Sequence, residues 1–322
     1  SSTMDEGAGK WDSRGFQRQM EDLSVQLRFE AGRDSFGGRL KTLRKNRQAA
    51  FDLLAAALTK PRFDEEPVTR IRGQILAGLR QEAEDPGSVA GKTLMKALFP
   101  KHPYGRPGSG TVKSVATITQ DDLKNFVKRR LARNNLVVGI VGDISKKEAA
   151  AFLSTTFGGL PRNAAPWTLP VAVAGAAGKT IVVKKPVPQS SIMYAHEGFK
   201  RDDPDFFAAF LVNHILGGGS FTSRLYQNIR EKRGLVYSIS SYLHPMDWAG
   251  LVAGSGGTAN ARVGETVTLL REEWNRIAKD GITKTELSEA KTFQTGSFPL
   301  RFTSSGRIAG MLVWMQLWNR GI

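Results

Sequence analysis

A duplicated α+β fold is what this 322-residue sequence predicts, on three observations. Short β-branched runs alternate with longer stretches whose apolar residues recur at helical spacing. The order strand, long helix, break, long helix occurs twice, at 36–84 and at 251–295, which is the pattern of an internal repeat. Residues 161–178, PRNAAPWTLPVAVAGAAG, are rich in Pro, Ala and Gly and lack periodicity, as a connector should be. The predicted division is a first domain over 1–165, a linker over 166–178 and a second domain over 179–322, each domain long enough to bury a core.

In the first domain, 16–27 is amphipathic, and 26–30 with 36–42 reads as two strands joined through Gly32-Arg33-Asp34. Asn46 opens a helix carrying Phe51, Leu54 and Leu58 at helical spacing, and Pro61 closes it. Pro67 sits at the start of a long helix through Ile71, Ile75 and Leu79, which Asp85-Pro86 should end because the residue before proline avoids the helical region. A helix over 89–98 follows, then the turn-rich PKHPYGRPGSGT. Thr119 with Asp122 three positions on forms a capping-box signal for a helix to Arg130. The apolar run 136–141 predicts a buried strand ended by Gly142-Asp143, and 146–157 predicts a helix.

Strands are expected in the second domain at 180–184, 190–196, 236–242 and near 251–254. Helices are expected at 205–216, from the glycine turn to Lys232, at 261–279, and after Thr283 as a cap. The chain stops at WNRGI without the closing helix and strand of the first domain, so a cut or disordered terminus is expected there.

With 40% hydrophobic and 24% charged residues, the composition is that of a globular protein. No apolar run approaches the roughly 18 residues needed to span a bilayer. The absence of cysteine excludes disulfides and thiolate metal sites. The opening SSTMDEGAGKWDSRG has neither a basic leader nor an apolar core, and is compatible with a leader already removed. The net charge of +16 raises the possibility of nucleic-acid binding, yet Lys128-Arg129-Arg130, Lys146-Lys147, Lys184-Lys185 and Lys232-Arg233 are dispersed, mostly at helix ends. A positive cavity that attracts acidic peptides explains the same charge.

The most specific stretch is 217–242, GGGSFTSRLYQNIREKRGLVYSISSY. It resembles the second domain of the pitrilysin and insulinase family of zinc metallopeptidases, which includes the mitochondrial processing peptidases and bacterial two-subunit relatives. Supporting pieces occur in order in the first half: Pro103-Tyr104-Gly105, Gly110-Thr111, Ile118-Thr119 with Asp121-Asp122-Leu123, Asn134-Asn135, and Val141-Gly142-Asp143. The resemblance implies two homologous domains, each a mainly antiparallel sheet packed with helices and both shortened at the chain ends.

The family's catalytic half holds zinc with HxxEH, two histidines on one helix face flanking a general-base glutamate, plus a later glutamate ligand. No HxxEH occurs in this chain. Aligning Gly7 with the glycine after that motif puts Ser1 and Ser2 where the glutamate and second histidine would stand. The same alignment puts the third ligand near 78 or 79, where the sequence reads Ile75-Leu76-Ala77-Gly78-Leu79. The resemblance therefore implies a degenerate zinc site. His102, His196, His214 and His244 are scattered, with no pair at i, i+4, and are read as structural.

Arg230 and Tyr237 are read as the catalytic pair. Gly234 as a left-handed cap puts Arg230 on the last helical turn and Tyr237 on the strand returning past it. In related peptidases the equivalent pair meets substrate opposite the zinc: the phenol donates to a developing oxyanion and the guanidinium grips peptide carbonyls. Against this stands a reading in which Tyr237 packs in a sheet and Arg230 pairs with a surface carboxylate. Gly217, Gly218, Gly219 and Ser220 are read as a flexible substrate-binding loop, or as a helix cap needing positive φ at one glycine. The expected protein is the non-zinc subunit of a heterodimeric zinc metallopeptidase, inactive alone and expected in the periplasm, with the cytoplasm as alternative. Its homologous partner carries HxxEH and the zinc, and this chain itself binds none. An inert scaffold descended from such a peptidase is the alternative, and a nucleic-acid-binding basic protein the third.

Overall fold

The computed structural model describes residues 1–320. In chain order the helices are α1 (Ser13–Asp22), α2 (Arg47–Thr59), α3 (Glu65–Glu84), α4 (Pro86–Leu98), α5 (Val112–Ala116), α6 (Gln120–Arg130), α7 (Lys146–Phe157), α8 (Phe206–Asn213), α9 (Val263–Asp280), α10 (Lys284–Ser297) and α11 (Ser305–Leu317). The strands are β1 (Gln26–Ala31), β2 (Phe36–Lys41), β3 (Gln189–Glu197), β4 (Val236–Pro245) and β5 (Gly250–Ala259). The fold is α+β with small antiparallel sheets, and the order strand, long helix, long helix recurs as β2-α2-α3 and β5-α9-α10.

Spatially the described residues form two compact units: one of 1–79, 108–168 and the segment from 300 onward, the other of 80–107 and 169–299. The division therefore falls inside α3, and neither unit is one continuous half of the sequence. In the first unit β1 and β2 form a hairpin in register from Gln26↔Lys41 to Ala31↔Phe36. Its core joins Phe16 and Met20 of α1, Leu27 of β1, and Leu53, Leu54 and Leu58 of α2, with the predicted Phe51 packed against it and only partly buried. Asp12 caps α1 by accepting from the Gly15 N–H at 2.7 Å, and Thr119 and Asp122 form the predicted capping box of α6.

Two expected strands are not strands. Segment 136–141 joins no ladder; it lies against α11, with Gln316 Nε2 donating to Val138 O at 3.2 Å. A Cβ at Gly139 would come within 2.6 Å of Ala309 O, so glycine permits that approach. Segment 180–184 also joins no ladder, and Ile181, Val182 and Val183 are exposed. β-Branched content favours extended backbone, but a strand exists only when another chain segment completes its hydrogen bonds. After α10 the chain turns through 298–302 and forms α11, a helix not expected in that region.

The second unit holds a three-stranded antiparallel sheet ordered β3-β5-β4. Leu216, Leu225, Ile229, Leu235, Val236, Ile239 and Leu270 form one core under it, and a second gathers Leu98, Phe99, Tyr104, Ala172, Met246 and Leu251. The expected linker is partly built into this unit: Ala172 is buried, its N–H bonds Trp248 O, and Gly175 N–H bonds Leu98 O.

Candidate functional site

The helical turn from Arg224 to Glu231 is set by anchors at both ends. Leu225 and Ile229, four residues apart and fully buried, pin one face to the core. At the N-terminal end Ser223 Oγ donates to Ser220 O at 2.8 Å, and Gln227 Nε2 donates to Phe221 O at 2.6 Å. Asn228 Nδ2 donates to Glu273 Oε1 on α9 at 2.7 Å. Gly234, at φ +58°, ends the turn as predicted, its N–H bonding Arg230 O at 2.8 Å.

The reversal brings Arg230 and Tyr237 together. The Arg230 guanidinium carbon lies 4.6 Å from the ring centre of Tyr226 and 5.9 Å from that of Tyr237. Its carboxylate contact is Glu231 at 3.3 Å, between neighbours in sequence. Tyr237 occupies a β-bulge: Val236 pairs with Thr258 and Ser238 with Gly257, leaving Tyr237 as the extra residue of β4. A bulge re-aims its side chain, and Tyr237 is 84% exposed, so it does not pack in the sheet. Phe221 extends the group, edge-on to Tyr226 with centroids 4.9 Å apart. Sequence reading missed Phe221 and Tyr226; Tyr226 was detectable as the residue one helical turn before Arg230.

The glycine segment is ordered by packing. Gly217 is buried, and a Cβ there would lie 2.5 Å from Ser241 Oγ, 2.7 Å from Ser241 N and 2.8 Å from Leu225 Cδ1. Gly219 N–H bonds His214 O at 2.7 Å. None of the three glycines takes the positive φ expected of a cap; Ser220 does, at φ +52°. Gly218 and Ser220 remain exposed.

Residues 117–293, more than half the chain, match the family described as the peptidase M16 inactive domain. This chain belongs to that family. A crystal structure of a peptidase M16 inactive domain from Pseudomonas fluorescens superposes with a TM-score of 0.92 at 32% identity, covering 99% of this chain and 77% of that one. An uncharacterized zinc protease of Streptomyces coelicolor is 29% identical over 265 residues, 80% of this chain and 58% of that protein. The non-peptidase homolog YmxG of Helicobacter pylori is 27% identical over 303 residues, 94% of this chain and 69% of that protein. This M16 chain thus spans roughly three fifths to two thirds of the length of these two relatives.

Zinc does not fit the side chains present. Among the described residues no three His, Cys, Asp or Glu side chains gather where they could hold a metal ion. Each histidine has another setting. His102 caps the turn after α4, Nδ1 accepting from Tyr104 N–H at 3.2 Å. His196 Nε2 accepts from Trp274 Nε1 at 2.9 Å. His214 stacks on Phe293 at 5.1 Å, and burial lowers its pKa. His244 lies edge-on to Tyr242 at 6.3 Å. Among the described residues no helix is long and apolar enough to cross a membrane.

An ion pair fixes the start of the Arg230 turn. Arg224 donates through Nε and Nη2 to Glu286 at 2.6 and 2.7 Å, while Glu286 also closes the capping box with Thr283. The hydrogen bonds from Arg224, helped by those from Thr283, lower the Glu286 pKa to about 2. An unfolded glutamate titrates near ~4.3, so this stabilisation is complete above about pH 5 and is lost as pH falls toward the folded value. Because the pair is partly solvated, its contribution is discounted to on the order of 1 kcal/mol. Glu286→Gln is expected to make the fall in stability between about pH 5 and 2 shallower, while Asp85, Asp122 and Glu148, whose pKa values their hydrogen bonds also lower, keep the remainder. Parallel melts of wild type and variant across that range check it, and identical slopes would refute it.

Proposed function

We propose that this M16 chain is the non-zinc subunit of a heterodimeric zinc metallopeptidase, contributing Arg230 and Tyr237 to an active site whose HxxEH, zinc and general base come from a homologous partner. The observation carrying this reading is a phenol turned out of its sheet by a bulge, beside a guanidinium braced on two rings. A tyrosine needed only for packing would be covered. Tyr237 is instead exposed, and its hydroxyl has no hydrogen-bond partner among the described residues.

In this reading Tyr237 donates to a peptide carbonyl oxygen as negative charge develops on it. Arg230, its plane held by Tyr226, directs N–H groups at neighbouring carbonyls. The exposed Gly218 and Ser220 leave room for an extended peptide, which makes main-chain contacts and imposes little sequence preference. Domains at 1–165 and 179–322 would pair with the matching domains of the partner.

The test is reconstitution. The chain alone, after dialysis, is expected to hold no stoichiometric zinc and to cleave no peptide; mixed with an HxxEH homologue from a neighbouring coding sequence, it is expected to sediment as a one-to-one complex that cleaves peptides. One tightly held zinc per isolated chain, or persistent monomers in every mixture, would reject the proposal. The inert-scaffold reading is favoured by the family's description as an inactive domain and by the Helicobacter relative's name as a non-peptidase homolog. A one-to-one complex whose activity ignores Arg230 and Tyr237 would support it.

A further inference from the structure

A wide turn carries Arg230. The backbone of Tyr226–Glu231 closes on the fifth residue instead of the fourth, with Lys232 N–H bonding Gln227 O at 3.1 Å. Such π-helical turns are rare in proteins and occur mostly one at a time, so this one needs support from outside its own backbone. The strand side is built in the same way, since Tyr237 is the extra residue of a bulge. One inserted residue thus re-aims each of the two candidate side chains.

Support for the turn comes from α9. Asn228 donates through Nδ2 to Glu273 Oε1 at 2.7 Å and accepts through Oδ1 from Lys232 Nζ at 2.8 Å, which ties the turn to α9 on one side and to its own C-terminal end on the other. Glu273 is only 3% exposed. Arg276, three residues on, reaches its Oε1 at 3.1 Å, while Oε2 is buried without a hydrogen-bond partner among the described residues. A buried carboxylate that leaves an oxygen unsatisfied costs stability, and an apolar side chain of similar size ordinarily serves packing as well or better. What a carboxylate supplies there, and an apolar side chain does not, is an acceptor for Asn228. Leu225 and Ile229 hold the turn to the core through contacts that have no direction, and these set its depth. A hydrogen bond is directional, so it sets the turn's rotation and with it the aim of Arg230.

We propose that Glu273 is a positioning residue for the Arg230 and Tyr237 site: bonded to Asn228, it locks the wide turn in the rotation that lays the Arg230 guanidinium 4.6 Å from the Tyr226 ring centre and 5.9 Å from that of Tyr237. Glu273 is too deeply buried to meet a substrate and acts through Asn228. Its hold on Arg230 is a property of this chain alone, whereas its effect on turnover rests on the heterodimeric peptidase reading.

The test exchanges the two partners. Asn228→Asp sets a second carboxylate against Glu273 and is expected to push the turn out of place. Adding Glu273→Gln restores a donor facing an acceptor with the roles reversed, and Lys232 still finds an oxygen at position 228. The readout in the full chain alone is the Arg230 Nε–H resonance, assigned by its loss in Arg230→Lys and shifted by the ring currents of Tyr226 and Tyr237. Asn228→Asp is expected to move that resonance toward the position of an unstacked arginine, and the double variant to return it. Asn228→Ala breaks the link without adding charge; it is expected to move the resonance likewise, and it decides the matter if Asn228→Asp does not fold. In the reconstituted complex the single variants are expected to lower kcat/KM by up to roughly a hundredfold, mainly through KM, and the double variant to recover it. A Glu273 with only a structural role would lower the melting temperature of the single variants and leave the resonance of the folded protein in place. That outcome, or a double variant that fails to return the resonance, overturns the proposal. A resonance that moves and returns while the kinetics ignore every variant supports the positioning of Arg230 and counts against the peptidase reading.

Discussion

In the reconstituted complex, Tyr237→Phe is expected to lower kcat by roughly a hundredfold to a thousandfold, the effect of losing one oxyanion donor, or about 2.7 to 4 kcal/mol. Only a hydroxyl is removed, from a side chain that is 84% exposed, so folding and assembly should be nearly unchanged. Arg230→Ala should raise KM as well, because a guanidinium gripping peptide carbonyls contributes to ground-state binding. It also removes the cation stacked on Tyr226 and Tyr237, so the Tyr237→Phe result carries the interpretation. Steady-state kinetics on both variants, with complex formation measured by sedimentation, decides the matter. Wild-type kcat for Tyr237→Phe in an intact complex would exclude a transition-state role and leave the scaffold reading.

The second large effect is expected at Gly217. A methyl group there meets Ser241 Oγ, the Ser241 backbone nitrogen and Leu225 Cδ1, all closer than 3 Å. The backbone of β4 cannot retreat without disturbing its pairing with β5, so Gly217→Ala should destabilise the protein by about 1–3 kcal/mol, the usual cost of overpacking. Gly257→Ala in β5 is the control, because a Cβ there meets nothing within 4 Å. Denaturant melts of the two variants separate a packing glycine from a substrate loop. If Gly217→Ala melts like wild type and raises only KM, the loop role holds and the packing account fails.

What could be read directly was local. Thr119 with Asp122, Thr283 before α10, Pro61 and Asp85-Pro86 placed helix boundaries, because capping and proline geometry act over three or four residues. The run from Ser223 to Ile239 carried the family and the Arg230–Tyr237 pair, because helix, left-handed Gly234 and returning strand are consecutive in the chain.

What required the tertiary structure was every choice of distant partner. Segments 136–141 and 180–184 have the composition of buried strands, yet neither has a ladder, since pairing depends on which other segment lies alongside and not on the run itself. The clamp of Arg224 on Glu286 spans 62 residues of sequence, and neither residue announces the other. Tyr237 turns outward because β4 carries one residue more than β5 between two pairs, a mismatch that exists only once the two strands are in register. Short-range backbone preferences are written residue by residue in the sequence; register, bulges and ion pairs are properties of two segments at once, and folding alone brings those segments together.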